Sequence, residues 1–172
     1  PGTGGFTTKL FWDYYDFTRD KQLLKDHVYP ALMGMAKFLS KTLKPQPDGT
    51  LLVDPSFSPE QVHQQVYYRS KGCIFDQSMI LETYRDLLHA AEILKDKDPF
   101  LKTVKEQIEK LDAILIGESG QIKEFREENK YGEIGQYQHR HISQLCAMYP
   151  GTIINADTPE WLEAAKVTLK ER

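Results

Sequence analysis

In residues 20–39, DKQLLKDHVYPALMGMAKFL, the apolar positions Leu24, Val28, Ala31, Leu32, Met35, Phe38 and Leu39 recur at helical spacing. A strand would alternate its apolar side chains at every second place; this set instead lines one face of an α-helix. Pro30 interrupts the run, because it has no amide proton and its ring crowds the preceding turn. It either kinks one long helix or opens the second half of it. The stretch KPQPDG, residues 44–49, then ends the helix.

The same period continues outward from this segment. Ile80, Tyr84, Leu87, Ala91 and Leu94 mark another helix. Asp98 followed by Pro99 is a helix start, with Leu101, Val104, Ile108, Leu111 and Leu115 behind it. Thr158 with Pro159 repeats that start for a last helix through Trp161, Leu162, Ala165 and Leu169. On the N-terminal side an aromatic-rich helix is expected from about Gly5 to Phe17, and a shorter one around His141–Met148. Residues 50–53, TLLV, are strand-like and predict a short hairpin. The fold class is therefore all-α, with paired antiparallel helices. The abrupt start and end of the periodic pattern read as part of a larger helical domain, whose uncovered apolar faces would favour self-association.

Composition narrows the function. The 172 residues are 40% hydrophobic and 27% charged, enough for a buried core. The net charge of −3 comes from acids and bases mixed along the chain, so there is no basic face for nucleic acid and no polybasic patch for a membrane surface. No apolar stretch is long enough to span a bilayer, and PGTGGFTTKL at the start lacks the charged and apolar regions of a signal peptide. Cys73 and Cys146 form no CxxC pair and read as small buried apolar residues.

Five places are weighed for chemistry. In PSFSPEQ, residues 55–61, two prolines and two serines surround Glu60 on a segment that cannot be helical. A carboxyl held so stiffly suits an acid that must meet a substrate oxygen in one geometry; the plainer reading is a helix cap or a lysine partner. In QHRHISQLCAMYPG, residues 138–151, His139 and His141 flank Arg140 and gather donors able to grip an anionic or polyhydroxylated ligand. The two histidines diverge if helical, point the same way only if extended, and lack a third ligand, so no metal site is expected. Glu124 in GQIKEFREE, residues 120–128, reads as part of a solvated acidic face. Asp76 in GCIFDQS, residues 72–78, reads as a helix cap, and Trp12 at helical spacing as core rather than platform.

Taken together and in order, WDYYDFTRDKQLLKDHVYPALMGMAKF, SPE, FDQSMILETYRDLLHAAEIL, GQIKEF, HRHISQL with YPG, and TPEWLEAAKVTLKER resemble the catalytic domain of glycoside hydrolase family 95. The resemblance covers nearly the whole chain. It implies part of an (α/α)6 toroid with a sugar pocket at one end, and removal of terminal α-1,2-linked L-fucose from glycans with inversion. It implies Glu60 as general acid, Arg140 and His141 as ligands of the fucose hydroxyls with His139 beside them, and Trp12 as a pocket-wall aromatic. It also implies a fucosylated glycan as partner, the remainder of a parent catalytic domain around the chain, no metal or organic cofactor, and a secreted or periplasmic location. The alternatives are an α-L-galactosidase of the same family and a non-catalytic glycan- or protein-binding scaffold.

The chain departs from the family pattern at Gln61, where SPEN is common, and at Gln144, where HRHxSHL is common; the MDxQ element stands here as Phe75, Asp76, Gln77, Ser78. The asparagine-rich and aspartate-bearing segments that handle the attacking water in the family lie outside these residues, so the chain alone is not expected to turn over. A general acid at neutral pH needs its pKa raised above about 4.3, which apolar burial does and an adjacent cation opposes. Phe57 and Pro59 are therefore expected to wall Glu60, with Arg140 kept off its carboxylate.

Overall fold

The computed structural model describes residues 1–63, 65–127 and 136–172. About half of the chain is helical, and among the described residues the strands are confined to two short hairpins. Helix α1 spans Gly2–Thr18. It begins earlier than the aromatic pattern predicts, because its glycines form a contact face. A Cβ on Gly5 would come within 2.8 Å of the Met79 carbonyl, so only the absence of a side chain lets the two backbones approach.

The segment opened by Pro30 resolves into three pieces, α2 (Lys21–Leu23), a π-helical turn (Leu24–Val28) and α3 (Tyr29–Thr42). Asp20 caps the start, accepting from the backbone N–H groups of Gln22 and Leu23. Pro30 stands in the first turn of α3, where its missing N–H costs least, and the widened turn just before it takes up the ring. The backbone stays helical from Leu23 through Tyr29, so Pro30 opens the second half of one helical run that the π-helical turn interrupts.

Strands β1 (Leu43–Pro45) and β2 (Leu51–Val53) form the expected hairpin, with Leu43 opposite Val53 and Pro45 opposite Leu51. Strands β3 (Val62–His63) and β4 (Val66–Tyr67) follow in the loop after Glu60, with Val62 opposite Tyr67. Helix α4 (Ile74–Leu94) is the centre of the molecule and is buried on most of its faces. Helix α5 (Phe100–Ile108) starts where Asp98 accepts from the Phe100 N–H, but stops at Ile108 instead of running to Leu115. Leu111 leaves the helix to bridge Leu51 of β2, and the Lys110 carbonyl accepts from the Leu51 N–H. The expected helix near His141–Met148 is a single 3-10 turn, Ser143–Leu145, and α6 spans Pro159–Glu171.

Two apolar clusters flank α4. On one side Leu24, Val28, Leu32, Ala36 and Leu39 meet Trp12 and Tyr15 of α1 and Ile80, Tyr84 and Leu87 of α4. The Tyr84 hydroxyl is satisfied by Gln107 of α5 at 2.5 Å, and Gln107 reaches Ser40 of α3 at 2.9 Å. On the other side Ile74 packs with Ile114, Ile122, Leu145, Ile153 and the Ala164–Ala165 pair of α6. Leu32 is fully buried in the first cluster. Leu32→Ala is expected to lower the unfolding free energy by about 2–5 kcal/mol, measured by urea denaturation, since the helices around it cannot collapse into the gap. An outer stripe of α1, including Leu10, Tyr14 and Phe17, stays exposed.

Candidate active site

The loop bearing Glu60 is held at the start of α4 by side chains of that helix's first turn. Gln77 accepts from the Val53 N–H at 2.9 Å and donates to the Leu51 carbonyl at 3.0 Å, fixing the strand that leads into the loop. Asp76 accepts from the Ser56 hydroxyl at 2.6 Å, and the Ser56 oxygen accepts from the Cys73 N–H at 2.9 Å. Ser56 and Ser70 exchange backbone hydrogen bonds of 2.9 Å, which closes the loop at its base. Asp76 is thus a buried clasp on the loop, beyond the simple cap that its place in the sequence implies. Cys73 is buried and Cys146 half-buried, and both are free thiols.

The far side of the loop rests on Glu124. This carboxylate is 1% exposed, not part of a solvated face as its acidic neighbourhood predicts. It accepts from the Ser58 hydroxyl at 2.5 Å, from the Gln61 amide at 3.1 Å, and from the buried Arg172 guanidinium at 2.7 Å. Gln61 also donates to the Gln136 carbonyl and accepts from its N–H, at 3.0 and 2.8 Å. Its longer side chain, compared with asparagine, spans from Glu124 to this second segment.

Glu60 itself stands at the crest with a backbone φ of 33°, in the left-handed region that non-glycine residues rarely adopt. Such strain persists only where the surroundings hold it, and it tends to mark functional positions. No sequence signal announces it. Arg140 and His141, 80 and 81 residues further along, both donate to Glu60 Oε2, His141 at 3.0 Å. The His141 N–H donates to Nδ1 of buried His139 at 3.2 Å, and the two rings lie tilted at 5.3 Å on a non-helical segment. Among the described residues no three His, Cys, Asp or Glu side chains gather as a metal site.

Two expectations are corrected here. Arg140 touches the Glu60 carboxylate instead of standing clear of it, and Glu60 is half exposed rather than walled in. The hydrogen bond from His141, and then the charge of Arg140, hold the Glu60 carboxyl below its ordinary range. The reason is that Glu60 is the anion nearest to both donors, and each donor favours its ionised form. Burial lowers the pKa of His139, favouring its neutral form.

Trp12 is the third correction. It is 6% exposed in the first core cluster, packed on Tyr15 and stacked on His89, and does not line the cavities beside Glu60. Its helix turns that face toward α4, so its apolar area goes to the core. The aromatic walls at the site come from other residues. A cavity of about 270 Å³ lies between Glu60, Asp76, Phe57, Tyr67 and Phe75, and Phe57 meets Tyr67 edge-on at 6.5 Å. A second, apolar cavity of about 510 Å³ is lined by His141, Phe6 and Leu145, and shares Pro59 and Phe75 with the first. Gln144 is buried close by in sequence, with neither amide atom partnered among the described residues.

A carboxyl, a guanidinium and an imidazole thus converge beside apolar walls. Comparison with known families matches residues 1–172 to the glycosyl hydrolase family 95 catalytic domain. The chain belongs to family 95. It is 33% identical, over its whole length, to alpha-L-fucosidase 2 of Arabidopsis thaliana. It is 32% identical over 91% of its length to a probable alpha-fucosidase A of Aspergillus niger, and 39% identical over 60% to one of Aspergillus oryzae. It spans about a fifth of the first two of these proteins, 21% and 20%, and 14% of the third. Among the described residues no helix of this family 95 chain is long and apolar enough to cross a membrane.

Proposed function

We propose that this family 95 chain carries the acid side of an inverting α-L-fucosidase site acting on terminal α-1,2-linked fucose, within an (α/α)6 toroid. Glu60 is the general acid, and Arg140, His141 and His139 hold the ring hydroxyls. The observation that carries the reading is the meeting of Arg140 and His141 on one oxygen of Glu60, at the edge of apolar walls that suit the fucose methyl group.

A glutamate is already ionised at neutral pH, the wrong state for an acid, and the lowered pKa of Glu60 holds it further from the protonated form. Substrate corrects this in two ways. The sugar hydroxyls draw Arg140 and His141 away from the carboxylate, and the bound ring excludes water from it; both raise the pKa. Glu60 therefore takes up a proton as the glycan binds and delivers it to the glycosidic oxygen. The attacking water needs a base on the opposite face of the ring, roughly 6.5–9.5 Å from the acid, and that base comes from parts of the family domain outside these residues. The 172-residue chain alone then binds sugar without turnover.

Three results test this on the full-length gene product. 2′-Fucosyllactose should be hydrolysed well ahead of the corresponding α-L-galactoside, with the β-anomer of fucose appearing first by NMR. The basic limb of kcat, which reports the bound enzyme, should lie at higher pH than that of kcat/KM, which reports the free enzyme. Coincident limbs would remove the coupling between binding and protonation. An ion-paired, solvent-facing Glu60 is also what a glycan-binding scaffold presents, and binding with no hydrolysis would favour that reading.

A further inference from the structure

The GQIKEF segment touches no sugar in the proposed mechanism, yet its glutamate supports the Glu60 loop and is among the most deeply buried charged side chains of the described residues. Glu124 does not line the cavities beside Glu60, but Ser58, Gln61 and Arg172, which donate to it, all lead there. Ser58, two residues before Glu60, donates to Glu124 and lies 2.9 Å from the hydroxyl of Ser143, two residues after His141. Gln61, directly after Glu60, donates to the same carboxylate and is locked to Gln136, ahead of the His139–His141 element. Arg172, its side chain 3% exposed, pairs with Glu124 and also donates to the Gln136 and Tyr137 carbonyls. The acid loop and the sugar-gripping segment are separated by about eighty residues of chain, and one buried anion sits under both.

We propose that Glu124 is a positioning residue for proton transfer: through Ser58 and Gln61 it sets where the Glu60 carboxyl stands relative to the sugar held by Arg140 and His141. The inference rests on Glu60 being the general acid. Buried, ion-paired and shared among several donors, Glu124 has little freedom to shift. The left-handed backbone of Glu60 needs such a restraint, because an unrestrained loop would relax to an ordinary φ and turn the carboxyl away.

The experiment uses leaving-group chemistry. Hydrolysis of 2′-fucosyllactose requires protonation of the departing sugar oxygen, whereas α-L-fucosyl fluoride loses fluoride without it. A misplaced general acid therefore slows the first substrate and spares the second, while general damage to the fold slows both. In the full-length gene product, Ser58→Ala removes the hydroxyl clasp but leaves the Glu124–Arg172 pair. Glu124→Asp keeps the charge and draws it one methylene back from Ser58 and Gln61.

Each variant is expected to lose about 10- to 100-fold in kcat on 2′-fucosyllactose, with KM and fluoride hydrolysis within about twofold of the parent. Ser58→Thr, which restores the hydroxyl, should recover most of the loss. Equal losses on both substrates, or no loss from Ser58→Ala, would overturn the proposal. Glu60→Gln is measured in parallel. If that variant also fails to discriminate between the two substrates, the assignment of the acid itself is at fault; if only the Ser58 and Glu124 variants fail to, the positioning role is wrong and the acid stands.

Discussion

Glu60→Gln in the full-length gene product should abolish hydrolysis of 2′-fucosyllactose, a fall of about 10²- to 10⁴-fold in kcat, while sugar binding survives. Glutamine has the shape of glutamate and still accepts hydrogen bonds, but has no acidic proton to deliver. Arg140 and His141 lose the anion that occupies them in the free chain, so they are left more available to hydroxyls. Binding of fucosylated glycan, measured by calorimetry, should be equal or tighter. Turnover at the parental rate would remove Glu60 from the mechanism, and loss of binding together with turnover would make it a structural anchor instead.

The second large effect concerns stability. On α4, Asp86 is buried beside Lys9 and Asp13 of α1 and Glu82 and Arg85 of its own helix. Its Oδ2 has no hydrogen-bond partner among the described residues. Burial pushes its pKa from 3.8 up to about 8, opposed by Lys9 and reinforced by Glu82. Lys9 is committed to Asp13, and Glu82 to the backbone N–H and hydroxyl of Thr152, each at 2.8 Å. Burial raises the pKa of Glu82 as well.

The sign follows from which state holds the proton. Between the unfolded value of 3.8 and the folded value of about 8, the folded chain keeps the Asp86 proton and the unfolded chain releases it. The stabilising contribution is complete below pH 3.8 and is lost as pH rises through about 8. From pH 6 to pH 8 the loss should be on the order of 2 kcal/mol. Asp86→Asn, which mimics the protonated form, should remove most of this dependence, and its advantage over the parent should widen by a similar amount between pH 6 and pH 8. Urea unfolding of both proteins at pH 6 and pH 8 measures it. Parallel behaviour of the two would show that Asp86 does not titrate in this window.

Much of the helix order was legible because it rests on local rules. The 3.6-residue period of Leu24, Val28, Leu32 and Leu39 places a helix wherever such a face can be buried, and Asp98 and Thr158 mark helix starts by their position before proline. The Glu60 loop was legible as non-helical for the same local reason. The misread boundaries share a cause. Gly2 and Gly5 look like helix breakers until α4 lies against them, and α5 gives up its last predicted turns so that Leu111 can bridge β2.

At the site the division is sharper. Residue types and order were enough to single out Glu60, His139, Arg140 and His141, because they sit in short segments of unusual composition. Their charge state was not, since it depends on distances between groups about eighty residues apart. The same limit misplaced Glu124 on the surface; Trp12, whose spacing read as core, does lie in the core, and only the family resemblance had placed it at a pocket wall. Periodicity tells which side chains share a face, not which neighbour covers it. Local spacing determined the helices, the rigid loop and the candidate residues of this protein. Packing around α4 alone decided which acid lies buried as a clasp and which stands strained and ion-paired at the rim, because burial and electrostatics arise only when distant parts of the chain are brought within a few ångströms.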